Sequence, residues 1–110
     1  MTLTPGDVAT ARLVGVTQAK RRPAVVVSTD AYHAARPDVI LAEVTTQLAH
    51  ATGPTDYLLR DWSAANLHYP SACRMFLYTL PATDLKLIGH LSDRDWAEEQ
   101  ARLRIALAGT

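Results

Sequence analysis

Apolar residues come in short bursts along most of the chain, and in a helical stripe only near its end. After Pro5-Gly6, the stretch Asp7–Val14 places Val8 on one face and Ala9, Ala11 and Leu13 on the other, a strand opened by a turn. Gly15–Arg22 has the composition of a loop and ends in three consecutive cations, Lys20-Arg21-Arg22. Pro23 forces Arg22 into an extended conformation. Ala24–Val27 follows, apolar on both faces, as in a strand buried on both sides. Ser28–Asp38 reads as a second loop and Val39–Gln47 as a third strand. In that strand Leu41, Glu43, Thr45 and Gln47 share the face opposite Ile40, Ala42 and Val44.

Gly53-Pro54 marks a turn, and Asp56–Arg60 a short strand. Trp62–Leu67 predicts one helical turn closed by Asn66, a residue that tolerates the left-handed region. Ala72–Thr79 predicts a fifth strand, broken by Pro81-Ala82-Thr83-Asp84. Ser92 caps the one long helix, with Asp95 three residues on. Trp96, Leu103 and Leu107 recur at helical spacing, leaving apolar surface that a homodimer would cover, and Gly109 ends it. Several short strands and one terminal helix predict a mainly β fold: a small, strongly bent sheet or partly open barrel with a helix packed against it.

Composition narrows the function. The 110 residues suffice for one domain, spanning 1–110. Eleven Lys+Arg balance eleven Asp+Glu, so a polyanion partner would have to be held by a local basic cluster. A hydrophobic fraction of 48% excludes a disordered chain. No apolar run approaches the roughly 18 to 20 residues that span a bilayer. The start lacks a basic segment followed by an apolar one, and the lone Cys73 has no internal disulfide partner. A cytoplasmic protein without membrane contact is expected.

Candidate chemistry is sparse. His33, His50, His68 and His90 share no metal-ligand spacing, so neither a metal nor a cofactor is expected. Cys73 lies in an apolar strand and reads as a buried structural thiol. Asp93, Asp95, Glu98 and Glu99 crowd the helix start, where the helix dipole favours them without any catalytic role. Lys20-Arg21-Arg22 is the sharpest local feature, a concentrated positive patch next to a rigid strand. Guanidinium forks suit phosphate oxygens. Thr45-Thr46-Gln47 adds hydroxyl donors of the kind a phosphate site uses.

The ordered motifs Gly6-Asp7-Val8, Lys20-Arg21-Arg22-Pro23 with Ala24–Ser28, and Glu43-Val44-Thr45-Thr46-Gln47 open a longer series. It continues with Asp61-Trp62 through Asn66-Leu67, Pro70–Arg74 and Ile88–Ser92. Together they cover nearly the whole chain, and in this order the chain resembles the MazF/PemK toxins of bacterial type II toxin–antitoxin pairs. The resemblance implies an SH3-like barrel of about five to seven strands with a C-terminal helix, acting as a homodimer. It implies a metal-independent endoribonuclease that cuts single-stranded RNA at short sequences and is neutralised by a cognate protein antitoxin. The family's catalytic arginine, the one before proline, falls on Arg22, and its catalytic threonine on Thr45. Ser71 and Arg74 match positions near the substrate groove, and Lys20, Arg21 and Gln47 complete the expected RNA contacts. Two competing readings are a related barrel of the CcdB type, which binds DNA gyrase and cleaves nothing, and an inactive barrel that only binds its antitoxin.

Overall fold

The computed structural model describes residues 2–13 and 20–109. The expected strand end at Val14 and the loop residues Gly15–Ala19 lie outside them. Six strands form one antiparallel sheet: β1 (Asp7–Leu13), β2 (Lys20–Val26), β3 (Asp38–Thr45), β4 (Tyr57–Leu58), β5 (Ala72–Pro81) and β6 (Leu85–His90). Their order is β4-β5-β3-β2-β1-β6. Two helices accompany them, α1 (Asp30–Ala35) and α2 (Asp93–Ala106). The mainly β fold with a C-terminal helix is the one expected.

Four details differ from the sequence reading. The basic triplet is strand, not loop, because β1 pairs with all of it: Leu13 with Lys20, Arg12 with Arg21, Ala11 with Arg22. Pro23 is tolerated in a central strand because the bonded β2–β3 pairs cover only Ala24, Val25 and Val26. The stretch read as a second loop contains α1, opened by Thr29, whose hydroxyl accepts from the Tyr32 amide at 3.2 Å. β6 follows the Pro81–Asp84 break as a sixth strand along β1. Trp62–Leu67 closes as tight overlapping turns instead of a helix, with Asn66 N donating to Ser63 O at 3.0 Å. Asn66 does take the left-handed conformation, at φ 63°.

The sheet is buried on both faces. Val8, Val25, Val44 and Cys73 pack on one side with Leu59, Ala65, Leu67 and Leu91. Ala9, Ala11, Ala24, Val26, Val39 and Leu41 pack on the other with Leu3 and Leu85. The simple alternation expected in β3 breaks for this reason: Leu41 and Ala42 are both buried, each in its own layer. A bulge in β5 spans Arg74–Phe76, since Ala42 faces Leu77 but Val44 faces Cys73.

Helix α2 begins as expected, with Ser92 Oγ accepting from the Asp95 amide at 3.2 Å. Its buried residues, however, are Asp95 and Glu99, while Leu107 is exposed and Trp96 only partly buried. The helix thus turns two carboxylates inward, and distant groups supply hydrogen-bond partners for Asp95. The helix ends at Ala106, and Gly109 lies beyond it in the left-handed region.

Gly89 of β6 backs directly onto the turn at Ala65. A Cβ there would collide with the Ala65 carbonyl, which is backbone and has nowhere to move. Gly89→Ala is expected to cost about 1–3 kcal/mol, as overpacking does. A urea titration checks it: the midpoint falls while the slope holds.

Candidate functional site

An open groove of about 760 Å³ lies between the ends of β1 and β2 and the segment Ser63–Ser71. Thr10 and Pro23 are paired across β1 and β2, and Arg21 follows on the same face. Arg21 is clamped: its Nε donates to Thr10 Oγ1 at 2.9 Å and an Nη to the Thr10 carbonyl at 2.8 Å. Three of its five N–H bonds remain for a ligand. Thr46 and Ser71 add hydroxyls, while Pro23, Leu67 and Ile88 supply apolar surface. None of the described residues lining the groove is acidic.

The wall opposite Arg21 is tied down at both ends. Asn66 donates its side-chain amide to the Ile88 carbonyl at 2.7 Å, joining the turn to β6. Ser71 is buried and donates to the Tyr69 carbonyl at 2.7 Å. His68 and Tyr69, between these anchors, are exposed on the groove.

The expected site residues divide into four groups. Arg21 and Ser71 line the groove. Arg22 is exposed, and alternation places it on the opposite face of β2, in line with Ala24. The β2–β3 register sets Ala24 against Glu43, and its continuation by two residues would set Arg22 across from Thr45. Thr45 is half-buried and its Oγ1 accepts from the Gln47 amide at 3.1 Å, which leaves its O–H free to donate. Lys20 opens β2, and Gln47 is exposed just past the end of β3. Arg74 does not reach the groove: its guanidinium stacks over Phe76 at 4.5 Å, with Nε 3.7 Å from Asp56. Sequence reasoning missed Thr10, whose partnership with Arg21 depends on strand pairing, and it left His68 and Tyr69 without a role.

Comparison with known proteins identifies the frame that carries this groove. A family model described as PemK-like, MazF-like toxin of type II toxin-antitoxin system matches residues 4–107. The chain belongs to this toxin family. Among solved structures, the toxin is similar to an endoribonuclease in complex with its cognate antitoxin from a mycobacterial species. That likeness has a TM-score of 0.80 and 19% identity, and covers 99% of this chain and 98% of the other. A MazE-MazF structure from Deinococcus radiodurans superposes with a TM-score of 0.75 at 18% identity, covering 100% and 99%. The Mycobacterium tuberculosis toxin MazF-mt6 follows at 0.68 and 20%, covering 91% and 94%. At these identities the likeness is one of fold. No curated protein sequence matches the chain.

In this toxin the groove wall rests on buried carboxylates. Asp95 is fully buried and accepts from Tyr57 Oη at 2.6 Å and from the Arg60 and Asp61 amides at 3.1 and 2.8 Å. It thereby fixes the start of the turn that ends at Asn66. Burial, with the Asp95 carboxylate behind it, pushes the Tyr57 phenol well up. Asp61 accepts from Ser92 Oγ at 2.6 Å and from Arg94 at 2.8 Å, and these bonds, Ser92 first, hold its carboxyl below the usual range. Glu99 is also fully buried, and neither of its carboxyl oxygens has a hydrogen-bond partner among the described residues. Burial pushes it up to about 7, against the opposing pull of the Cys73 thiol and the Arg102 guanidinium. Cys73 is buried as expected, and burial drives its thiol well up, with Glu99 adding to the effect. Among the described residues no group of three or more His, Cys, Asp or Glu could hold a metal ion, and no helix is long and apolar enough to cross a membrane.

Proposed function

We propose that this toxin is an endoribonuclease that cuts single-stranded RNA without a metal ion, works as a cytoplasmic homodimer, and is neutralised by a protein antitoxin. The observation that carries the reading is the groove: a clamped arginine among hydroxyls, with no acidic residue among the described ones lining it. Such a surface suits a chain of phosphates. The endoribonuclease–antitoxin complex among the similar folds supports both the activity and the partner.

RNA brings its own nucleophile, the 2′-hydroxyl beside each phosphate. The protein has to align that hydroxyl and stabilise charge on the phosphoryl oxygens. Arg21 and Arg22 project from opposite faces of one strand end, so an RNA chain crossing that end meets both. Arg21 holds phosphate in the groove. Arg22 and Thr45 act on the scissile phosphate, the first as a fixed cation and the second through its free O–H. The 2′-oxygen loses its proton as it bonds to phosphorus, the bond from phosphorus to the 5′-oxygen breaks, and that oxygen takes up a proton, giving a 2′,3′-cyclic phosphate and a 5′-hydroxyl.

The test is incubation of purified toxin with end-labelled RNA in EDTA over a salt series. Cleavage persisting in EDTA, cyclic-phosphate ends and a rate that falls with salt are the expected results. Intact RNA, together with capture of DNA gyrase, would replace this reading with the non-enzymatic one.

A further inference from the structure

We infer that Tyr69 and His68 form a base-recognition subsite in the groove, Tyr69 stacking on one unpaired nucleobase and His68 meeting its edge. The inference rests on the RNA reading above and adds to it how a base is selected.

Tyr69 is 67% exposed, more than any other large apolar side chain among the described residues. Its backbone is nevertheless held on both sides. Its carbonyl accepts from Ser71 Oγ at 2.7 Å, and Pro70 follows with its fixed backbone angle. On the other side Leu67 is buried and Asn66 is bonded to β6. The loop between these anchors presents its ring without relying on packing of the ring itself.

The groove's composition matches. Phosphate has no use for Pro23, Leu67 and Ile88, whereas the flat face of a base gains from apolar contact. Arg21 supplies the backbone contact in the same groove. An imidazole offers one donor and one acceptor nitrogen, which suits the mixed donor–acceptor edge of a base. Only an unpaired base has its face and edge free together, so the subsite takes single strands or loops.

The experiment measures binding of two 2′-O-methyl oligonucleotides, which lack the attacking hydroxyl. One carries all its bases and the other has abasic positions through its centre, at equal charge. Wild-type toxin is expected to prefer the base-bearing strand by roughly 5- to 150-fold. Tyr69→Ala should lose most of that preference with the same salt dependence, and Tyr69→Phe should restore it. His68→Ala should broaden the profile of cut sites on a mixed RNA. If Tyr69→Ala, folded by circular dichroism, keeps the wild-type preference, the subsite is overturned while the RNA reading stands. If the wild type binds neither strand, the RNA reading falls and the subsite with it.

Discussion

Arg22→Ala is expected to lower RNA cleavage by about 10²–10³ while leaving the fold intact. Arg22 is exposed, so the core loses nothing when its side chain is cut back. Its partners in the ladder are backbone groups, and Ala makes the same ones. On the proposed mechanism, what disappears is the positive charge that meets the developing negative charge on the phosphoryl oxygens. Thr45→Val separates chemistry from packing, because it keeps the shape and β propensity but deletes the O–H. Arg21→Ala should behave differently: weaker binding and a shallower salt dependence, since on the proposed reading that side chain holds phosphate away from the scissile bond. Cleavage rates of the three variants, with thermal melts to confirm folding, decide the matter. A folded Arg22→Ala that cuts at the wild-type rate would remove Arg22 from the site, and loss of cleavage in Arg21→Ala alone would move the chemistry into the groove.

Asp95→Ala is expected to be the most damaging change outside the groove, costing about 2–4 kcal/mol because it strands buried donors. Tyr57 Oη and the Arg60 and Asp61 amides all lose their acceptor together. A domain of this kind has only about 5–15 kcal/mol to lose. The same change frees the start of the turn that walls the groove, so substrate binding should weaken in the fraction that stays folded. Urea unfolding of Asp95→Ala, Tyr57→Phe and the double variant measures the coupling. If the single effects simply add, the Tyr57–Asp95 bond contributes little and the amides carry the cost.

Much of the fold was legible because it depends on local signals. Pro5-Gly6, Gly53-Pro54 and Ser92 punctuate the chain through backbone geometry and capping, and the Asn66 conformation follows from its side chain. The unread parts depend on partners far away in sequence. Whether Arg21 or Arg22 faces the groove is set by pairing with β1, and their neighbouring positions give no hint of it. The basic triplet looked like a loop because charge composition cannot show that Ala11, Arg12 and Leu13 run alongside it. The bulge at Arg74–Phe76 shifts the phase of β5, which takes Arg74 away from the groove and toward Asp56. Asp95 carries the ordinary signature of a first-turn acid, and only the donors at Tyr57, Arg60 and Asp61 turn it inward. Tyr69 and His68 were visible as residues, but their mounting between Asn66 and Ser71 was not.

The buried Glu99 contributes a proton uptake to the folding of this toxin. Its carboxyl ionises near 4.5 in an unfolded chain and near 7 in the folded one, because the interior penalises the charged form. The folded state therefore holds a proton that the unfolded state releases anywhere between those values. By linkage, the stability contributed by this group is complete below about 4.5 and drains away as pH climbs toward 7. Beyond that point it is flat. At mildly acidic pH this group adds to the stability of the fold, and at neutral pH the toxin stands near the bottom of that slope.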